Sequence, residues 1–270
     1  MVKQIVHPVT SQTFALGRNR PVVQHPHLKL RSYLHRGLPK APDAVHYTKK
    51  PLSGLENPLG NLRIGDCTCA GIFHCDDTWS INAGTATTFA NEADAIRLYS
   101  KLFGYVPGDP STDKGGDLQS VLAYAQKHGI YADGRGKTAG YVAVDAHDVE
   151  MCRFAIWVFG CLYGGYELPD AWVNPPPSGN GFIWKKSGAP DPSNGHCTMY
   201  PGYNENEFVV DTWGLIGGEE VDAFVYYHAS ENGGELYAPL SPDWISRATQ
   251  KAPSGFNWAQ LQADLNAIQR

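Results

Sequence analysis

The sequence predicts an α+β fold in which helices and strands occupy different parts of the chain. From residue 67 to about residue 160, apolar side chains recur with the spacing of amphipathic helices, whereas later segments form the short apolar runs typical of strands. Helical segments that precede strand segments, without regular alternation, are typical of α+β domains with segregated halves. The 270 residues, 42% of them hydrophobic, suffice to bury a large core.

We divide the chain into an extended N-terminal arm (1–55), a globular domain (56–245), and a C-terminal linker and helix packed on that domain (246–270). The first sixty residues hold prolines at positions 8, 21, 26, 39, 42, 51 and 58. Prolines at this density exclude helices and central strands, so we expect an arm that wraps over the domain. Its apolar contacts would be Leu28, Leu30 and Leu34. The arm is also the candidate surface for self-association.

Four helices are predicted in the first half of the domain. One begins at Cys67, after a turn at Gly65 and Asp66, where small and apolar residues follow. Capping residues at the N-terminus and glycines at the C-terminus delimit the others. These three helices run from Asn91 to Gly104, from Asp117 to Gly129, and over residues 146–159 before Gly160.

Strand-like segments follow. An apolar run at residues 161–168 precedes a proline-rich loop at 174–181. Two further runs, at 196–203 and 207–214, are separated by Asn-Glu-Asn, which predicts a hairpin. The C-terminal part of the chain adds a helix near 220–230, a strand at Glu235–Leu240, and a final helix from about Trp258 to Ile268.

Composition narrows the classes of function. The net charge is −5 and no basic run is present, which argues against a nucleic-acid partner. No segment approaches 18 consecutive apolar residues, so we expect no membrane-spanning helix. The first residues lack the apolar region of a secretory signal, and we expect a soluble protein that stays in the cytoplasm or leaves it by a route the sequence does not show.

Two short motifs supply the residues of a nucleophilic site. The first is NLRIGDC (61–67), and the second is GHCTMYPGYNENEFVVDTWG (195–214). A thiol loses its proton more readily beside a helix N-terminus and an imidazolium. Cys67 lies at a predicted helix start, and His196 would provide the imidazolium. A carboxylate such as Asp211 can hold the second ring nitrogen of the histidine. The sequence therefore predicts an activated thiol.

Two more side chains complete the predicted site. The carboxamide of Asn61, six positions before Cys67, and the Cys67 N–H are the two donors that a tetrahedral oxyanion requires. Trp213 lies two residues after Asp211 and would shield the histidine–aspartate hydrogen bond from water. His196 follows Cys67 by 129 residues, and Asp211 follows His196 by 15.

These motifs resemble those of the papain-like cysteine peptidase superfamily, over roughly residues 60–215. The segment KGGDLQSVLAYAQKHGI (114–130) is similar to the family's Gly-Gly turn and the helix after it. The resemblance implies a helical half and a twisted antiparallel sheet half, with the active site in the cleft between them. It also implies that Cys67 is the nucleophile, His196 the base, Asp211 its orienting partner and Asn61 an oxyanion donor.

Three departures from the family pattern point to a distant bacterial or phage branch. Thr68 stands where an aromatic residue is common, Asn61 where glutamine is usual, and Asp211 where asparagine is commoner. A phage origin would place the protein in the cytoplasm or in the virion.

The remaining cysteines and acidic residues favour neither a metal nor a cofactor. Cys67, Cys69, His74 and Cys75 do not have the ligand spacing of a zinc site, and GDPSTDKGGD (108–117) does not match a calcium loop. We expect most of the cysteines to be small buried hydrophobic residues.

The expected function is that of a cysteine hydrolase that cleaves amide bonds, above all peptide bonds, through an acyl-enzyme. Its partner would be a peptide or protein substrate. Two alternatives stay open: a catalytically inactive papain-like binding or structural module, for instance of a phage particle, and a transglutaminase-type or amidase-type acyl transferase.

Overall fold

The structure is a computed structural model that describes residues 2–22, 27–33, 40–48, 52–84, 89–242, 244 and 258–268. The predicted contact of Leu34 and the linker at 246–257 lie outside these residues.

Each predicted helix has a counterpart among the described residues, and one short helix, Asp170–Val173, was not predicted. The described helices are α1 (Cys67–Ala83), α2 (Glu92–Phe103), α3 (Leu118–His128), α4 (Val149–Phe159), α5 (Asp170–Val173), α6 (Val221–His228) and α7 (Trp258–Ile268). The side chain of Asn91 accepts hydrogen bonds from the N–H groups of Ala93 and Asp94 at the start of α2, and Gly104 ends that helix in a left-handed conformation. The fourth predicted helix begins later than expected, because the Asp148 side chain caps it.

The described strands are β1 (Lys3–Val6), β2 (Thr13–Leu16), β3 (Leu28–Lys29), β4 (Val45–His46), β5 (Gly140–Ala143), β6 (Leu162–Glu167), β7 (Ile183–Trp184), β8 (Gly195–Tyr203), β9 (Glu207–Thr212), β10 (Leu215–Glu220) and β11 (Glu235–Leu240). Strands β1 and β2 form a separate antiparallel pair. The large sheet has the order β3-β5-β11-β6-β8-β9-β10-β7, and β4 pairs with β8. Its centre is antiparallel, so the fold is α+β as predicted.

The N-terminal arm contains more structure than its prolines indicate. Strands β1 and β2 pair in register from Lys3 with Leu16 to Val6 with Thr13, and the prolines lie outside both strands. The side chains of Phe14 and Leu16 are buried, and so is Leu30 further along the arm. The arm therefore packs on its own chain, whereas its self-association stays a prediction.

Helix α1 lies between the two halves of the protein. It packs against β8 and β6, and the hydroxyl of Tyr163 on β6 donates to the carbonyl of Thr68 over 2.6 Å. On its other side it contacts α2 and α3. Because nearly every face of α1 is buried, the helix carries almost no amphipathic pattern, and in the sequence only the turn before Cys67 marks its start.

The C-terminal helix α7 contacts the rest of the chain through at least two side chains. Leu261 is buried, and the carboxylate of Asp264 accepts a hydrogen bond of 2.8 Å from the hydroxyl of Tyr33. Across the described part of the chain, the helices are too short or too polar to cross a membrane.

Candidate active site

Cys67 is the first residue of α1, and its side chain is buried. Burial raises the pKa of the thiol to about 12, and the backbone N–H groups of Cys197 and Gly17, which lie near the sulfur, offset this rise only in part. The thiol is therefore protonated at neutral pH in this arrangement. The other five cysteines are also buried, as predicted for most of them.

His196 lies on β8, directly before Cys197, whose N–H lies near the Cys67 thiol. Its Nε2 is 2.7 Å from the hydroxyl oxygen of Thr212, and the ring of Trp213 stacks on it with centroids 4.2 Å apart. Nδ1 has no hydrogen-bond partner among the described residues. Burial lowers the pKa of the imidazole to about 3, so the ring is neutral.

The structure differs from the sequence prediction at Asp211, which does not contact His196. Met199 pairs with Asp211 across β8 and β9, so the two side chains share one face of the sheet. His196 is three residues from Met199 and points to the other face, as Thr212 does. Asp211 instead faces α1, where its Oδ2 lies 3.4 Å from Nδ1 of His74.

His74 and Asp211 lie 3.4 Å apart, the Asp211 oxygens have no hydrogen-bond partner in the described part of the chain, and each side chain favours its neutral form. Nε2 of His74 is 2.9 Å from the backbone carbonyl oxygen of Asn57, and that oxygen only accepts, so Nε2 carries a hydrogen. Burial lowers the pKa of His74 to about 4 and raises the pKa of Asp211 well above its usual range. Both pKa shifts agree with a protonated Asp211 beside a neutral His74. The Asp211 carboxyl group therefore adds no negative charge near His196.

Asn61 is buried beside the site, but its amide already has two acceptors. Nδ2 donates to the carbonyl oxygens of Ile64, at 3.2 Å, and Ala15, at 3.3 Å. The Ala15 carbonyl also accepts a 3.0 Å hydrogen bond from Nε1 of Trp213. The predicted oxyanion donor therefore faces a carbonyl group of the N-terminal arm.

The arm crosses the cleft over Cys67. The N–H of Arg18 donates to the carbonyl of Gly195 over 3.0 Å, and the N–H of Gly116 donates to the carbonyl of Gly17 over 2.8 Å. The crossing point admits no side chain, because a Cβ atom on Gly17 would lie 2.1 Å from the carbonyl oxygen of Gly65. No pattern in the sequence pointed to this arrangement, which joins the arm to both sides of the cleft.

Asp113 is a further site residue that sequence reasoning missed. Its two carboxylate oxygens accept from the N–H of Gly65, each at 3.2 Å, and one accepts from the hydroxyl of Tyr99 at 2.6 Å. That hydroxyl in turn accepts from the N–H of Gly115 at 2.7 Å. Asp113 thus joins the turn before Cys67 to the Gly-Gly segment on which the arm lies.

Solved structures of other proteins share this architecture. Xylellain, a cysteine protease from Xylella fastidiosa, superposes with a TM-score of 0.59 at 12% sequence identity, over 89% of this chain and 99% of xylellain. Digestive procathepsin L2 from Tenebrio molitor larval midgut superposes with a TM-score of 0.59 at 13% sequence identity, over 84% of this chain and 78% of that chain. The cysteine protease and lectin-like domains of Cwp84 from Clostridium difficile superpose with a TM-score of 0.58 at 12% sequence identity, over 89% of this chain and 61% of that chain.

No protein-family model and no curated protein sequence matches the chain. The likeness to xylellain covers 89% of this chain and so extends over both the helices and the sheet. The chain has the fold of the papain-like cysteine proteases.

Proposed function

We propose that the protein is a cysteine hydrolase that cleaves amide bonds, above all peptide bonds, with Cys67 as nucleophile and His196 as proton carrier. One observation carries the proposal: the thiol at the N-terminus of α1 lies near the backbone N–H of Cys197, the residue directly after His196. A helix N-terminus and a neighbouring imidazole are what a thiol needs to become a nucleophile.

The proposed reaction forms and hydrolyses a thioester. Nδ1 of His196 takes the thiol proton while the sulfur bonds to the carbonyl carbon of the substrate. The carbon–nitrogen bond breaks, and the leaving amine takes that proton from the imidazole. Water, deprotonated by His196, then attacks the thioester, releases the acid and returns the proton to the thiolate.

Thr212 would hold His196 in the reactive tautomer. If Nε2–H donates to the hydroxyl oxygen, Nδ1 is left as the basic nitrogen. The backbone N–H of Cys67 lies in the first turn of α1, where N–H groups have no partner within the helix, and it suits the oxyanion. The Asn61 amide becomes a second donor once Ala15 leaves, because one of its two hydrogens is then free.

The arm makes the described arrangement a resting form. The thiol and the imidazole are both buried, and burial keeps the first protonated and the second neutral. A substrate can reach Cys67 only when residues 15–19 move away. We therefore expect turnover to depend on release of the arm.

The test uses the full chain and internally quenched peptides. Cys67→Ala should reduce hydrolysis by about a thousandfold or more, as loss of a nucleophile does in related chemistry. Cys152→Ala, which removes a buried thiol on α4, is the matched control and should retain the activity. Undiminished hydrolysis by the Cys67→Ala protein would refute the proposal.

A non-catalytic papain-like module is the second candidate. It is favoured by the covered thiol and by the engaged amide of Asn61. If Cys67 stays unreactive toward iodoacetamide after the arm has been loosened, this second candidate is preferred. An acyl transferase would be recognised by products in which an added primary amine, in place of water, carries the acyl group.

A further inference from the structure

The side chain of Arg18 enters a pocket in the sheet half beside the cleft. Only 2% of this side chain is exposed. Nε and Nη2 donate to Oε1 of Glu235 over 3.0 and 2.5 Å, and Nη1 donates to the carbonyl oxygen of Gly233 over 3.0 Å. All three guanidinium nitrogens thus have an acceptor inside the protein.

The pocket has the shape of an arginine side chain. Gly165 on β6 leaves room for the guanidinium because it has no side chain. A Cβ atom at this position would lie 2.9 Å from Nε of Arg18 and 2.7 Å from a methyl carbon of Leu118. Any larger residue at this position would close the pocket. Strand β6 therefore provides the space, and β11 provides the charge through Glu235.

Glu235 is held in place from its other side. Its Oε2 accepts a 3.1 Å hydrogen bond from the hydroxyl of Tyr237, and that hydroxyl accepts a 2.8 Å hydrogen bond from the side chain of Gln119. The Glu235 side chain is 11% exposed. A carboxylate so buried is unfavourable without a cation, which makes the pocket selective for a basic group.

The chemistry favours arginine over other side chains. A planar guanidinium supplies the Nε and Nη donors together, whereas the ammonium group of lysine is a compact point charge. An apolar side chain would leave Glu235 without a cation, and an acidic one would be repelled.

The backbone of Arg18 places this pocket relative to the thiol. Arg18 pairs with Gly116 on one side of the cleft, and its N–H donates to the carbonyl of Gly195 on the other, while its neighbour Gly17 lies near Cys67. A side chain in the pocket thus belongs to the residue next to the one held over the nucleophile.

We propose that the Glu235 pocket is a substrate subsite for arginine, and that Arg18 of the arm occupies it until a peptide with arginine at the matching position takes its place. The proposal rests on the proposed hydrolase function for its biological use, but binding at the pocket can be measured without turnover. The neighbouring Arg20 provides the contrast: it pairs with Glu167, yet 63% of its side chain is exposed.

The first experiment measures binding alone. The full-length Cys67→Ala, Arg18→Ala protein is titrated with a fluorescein-labelled peptide FALGRNR, which copies residues 14–20. Replacing the first arginine of the peptide by glutamine should weaken binding at least about tenfold, since a charge-assisted contact is lost. Replacing the second arginine, the counterpart of Arg20, should change affinity less than about threefold, because 63% of the Arg20 side chain is exposed to water, which screens its charge.

Glu235→Gln in the same protein should remove the preference for the first arginine. Equal affinities of the arginine and glutamine peptides would overturn the proposal. So would an absence of binding to a protein whose circular dichroism spectrum matches that of the unaltered chain. If Arg18→Ala does not fold, Arg18→Lys, which keeps the positive charge but lacks the Nε contact, takes its place with the same expected ranking.

A second experiment separates this proposal from the hydrolase itself. The Arg18→Ala chain with an intact Cys67 is given quenched peptides that vary at one position, and mass spectrometry locates the cleaved bond. Cleavage without preference for arginine beside the scissile residue refutes the pocket and leaves the hydrolase. Arginine-selective binding without any cleavage refutes the hydrolase and leaves the pocket.

Discussion

Thr212 and His196 face each other across neighbouring strands, with the hydroxyl oxygen 2.7 Å from Nε2 of the imidazole. Asp211, the next residue, points to the opposite face of the sheet toward His74. The candidate base is therefore positioned by a neutral hydroxyl group and not by a carboxylate. A hydroxyl sets the tautomer of the ring but adds no negative charge to stabilise an imidazolium.

The first prediction compares these two neighbours. Thr212→Val removes the acceptor and leaves a buried N–H unpaired, so we expect kcat/KM on a cleavable peptide to fall about tenfold to a hundredfold. Asp211→Asn preserves the shape and a donor toward His74, so its effect should stay below about threefold. Steady-state kinetics of both variants in the Arg18→Ala chain measures this. The reverse ranking would mean that Asp211 turns toward His196 in the working state.

The second prediction concerns the reactivity of Cys67. Burial raises the pKa of this thiol to about 12, so iodoacetamide should label it slowly at pH 7 and faster as the pH rises beyond 10. Arg18→Ala should increase the rate at pH 7 at least about tenfold, because water re-enters and the thiolate is less unfavourable. Arg20→Ala, which removes a largely exposed side chain, is the control and should leave the rate unchanged. Equal rates for the two variants would show that Arg18 does not hold the arm.

The third prediction tests the crossing point of the arm. Gly17→Ala places a Cβ atom 2.1 Å from the carbonyl oxygen of Gly65, so the arm must lift away from the cleft. We expect faster labelling of Cys67 together with a fall in Tm of no more than about 5 °C, since the main core is not altered. Gly179→Ala has no atom within 4 Å of the added carbon and serves as the control. A labelling rate equal to that of the control would contradict the placement of the arm.

A buried chain of hydrogen bonds in the sheet half underlies the fourth prediction. The hydroxyl of Tyr200 lies 2.6 Å from Oε2 of Glu219 and 3.0 Å from Nε2 of His228, whose Nδ1 lies 3.0 Å from the carbonyl oxygen of Phe224. Burial raises the pKa of Glu219 to about 8 and lowers the pKa of His228 to about 3. The proton of this chain therefore resides on Glu219.

The sign of the resulting pH dependence follows from where the proton is bound. Between the unfolded pKa of a glutamate, about 4.3, and the folded value, the native state holds a proton that the unfolded state has lost. The contribution of Glu219 to stability is thus fully present below the unfolded pKa and is lost as the pH rises toward about 8. Each pH unit of that window costs up to about 1.4 kcal/mol of unfolding free energy.

Glu219→Gln mimics the protonated carboxyl and should remove this dependence. Differential scanning calorimetry should give similar Tm values for the variant and the unaltered chain at pH 5, and a Tm higher by about 5 °C or more for the variant at pH 8. Glu205→Gln, at an exposed position in the β8–β9 turn, should show no such difference. A variant that is less stable at both pH values would mean that Glu219 is ionised in the folded protein.

Local sequence by itself determined most of the helices and the position of Cys67 at the start of α1. Asn91 and Asp117 cap helices through their own side chains, and a Gly-Asp turn places Cys67 at the start of α1. Such signals act over a few residues, so they can be recognised without knowledge of the fold. The spacing to His196 could be identified because it resembles a known family pattern.

Only the tertiary structure decided which of Asp211 and Thr212 meets His196, because side chains alternate along a strand and the register of β8 with β9 sets the face. It also decided the path of the arm. Arg18 and Glu235 are 217 residues apart, and no local preference of either residue encodes their contact. Their ion pair exists because the folded sheet places Glu235 beside the cleft and buries it, where a carboxylate needs a cation.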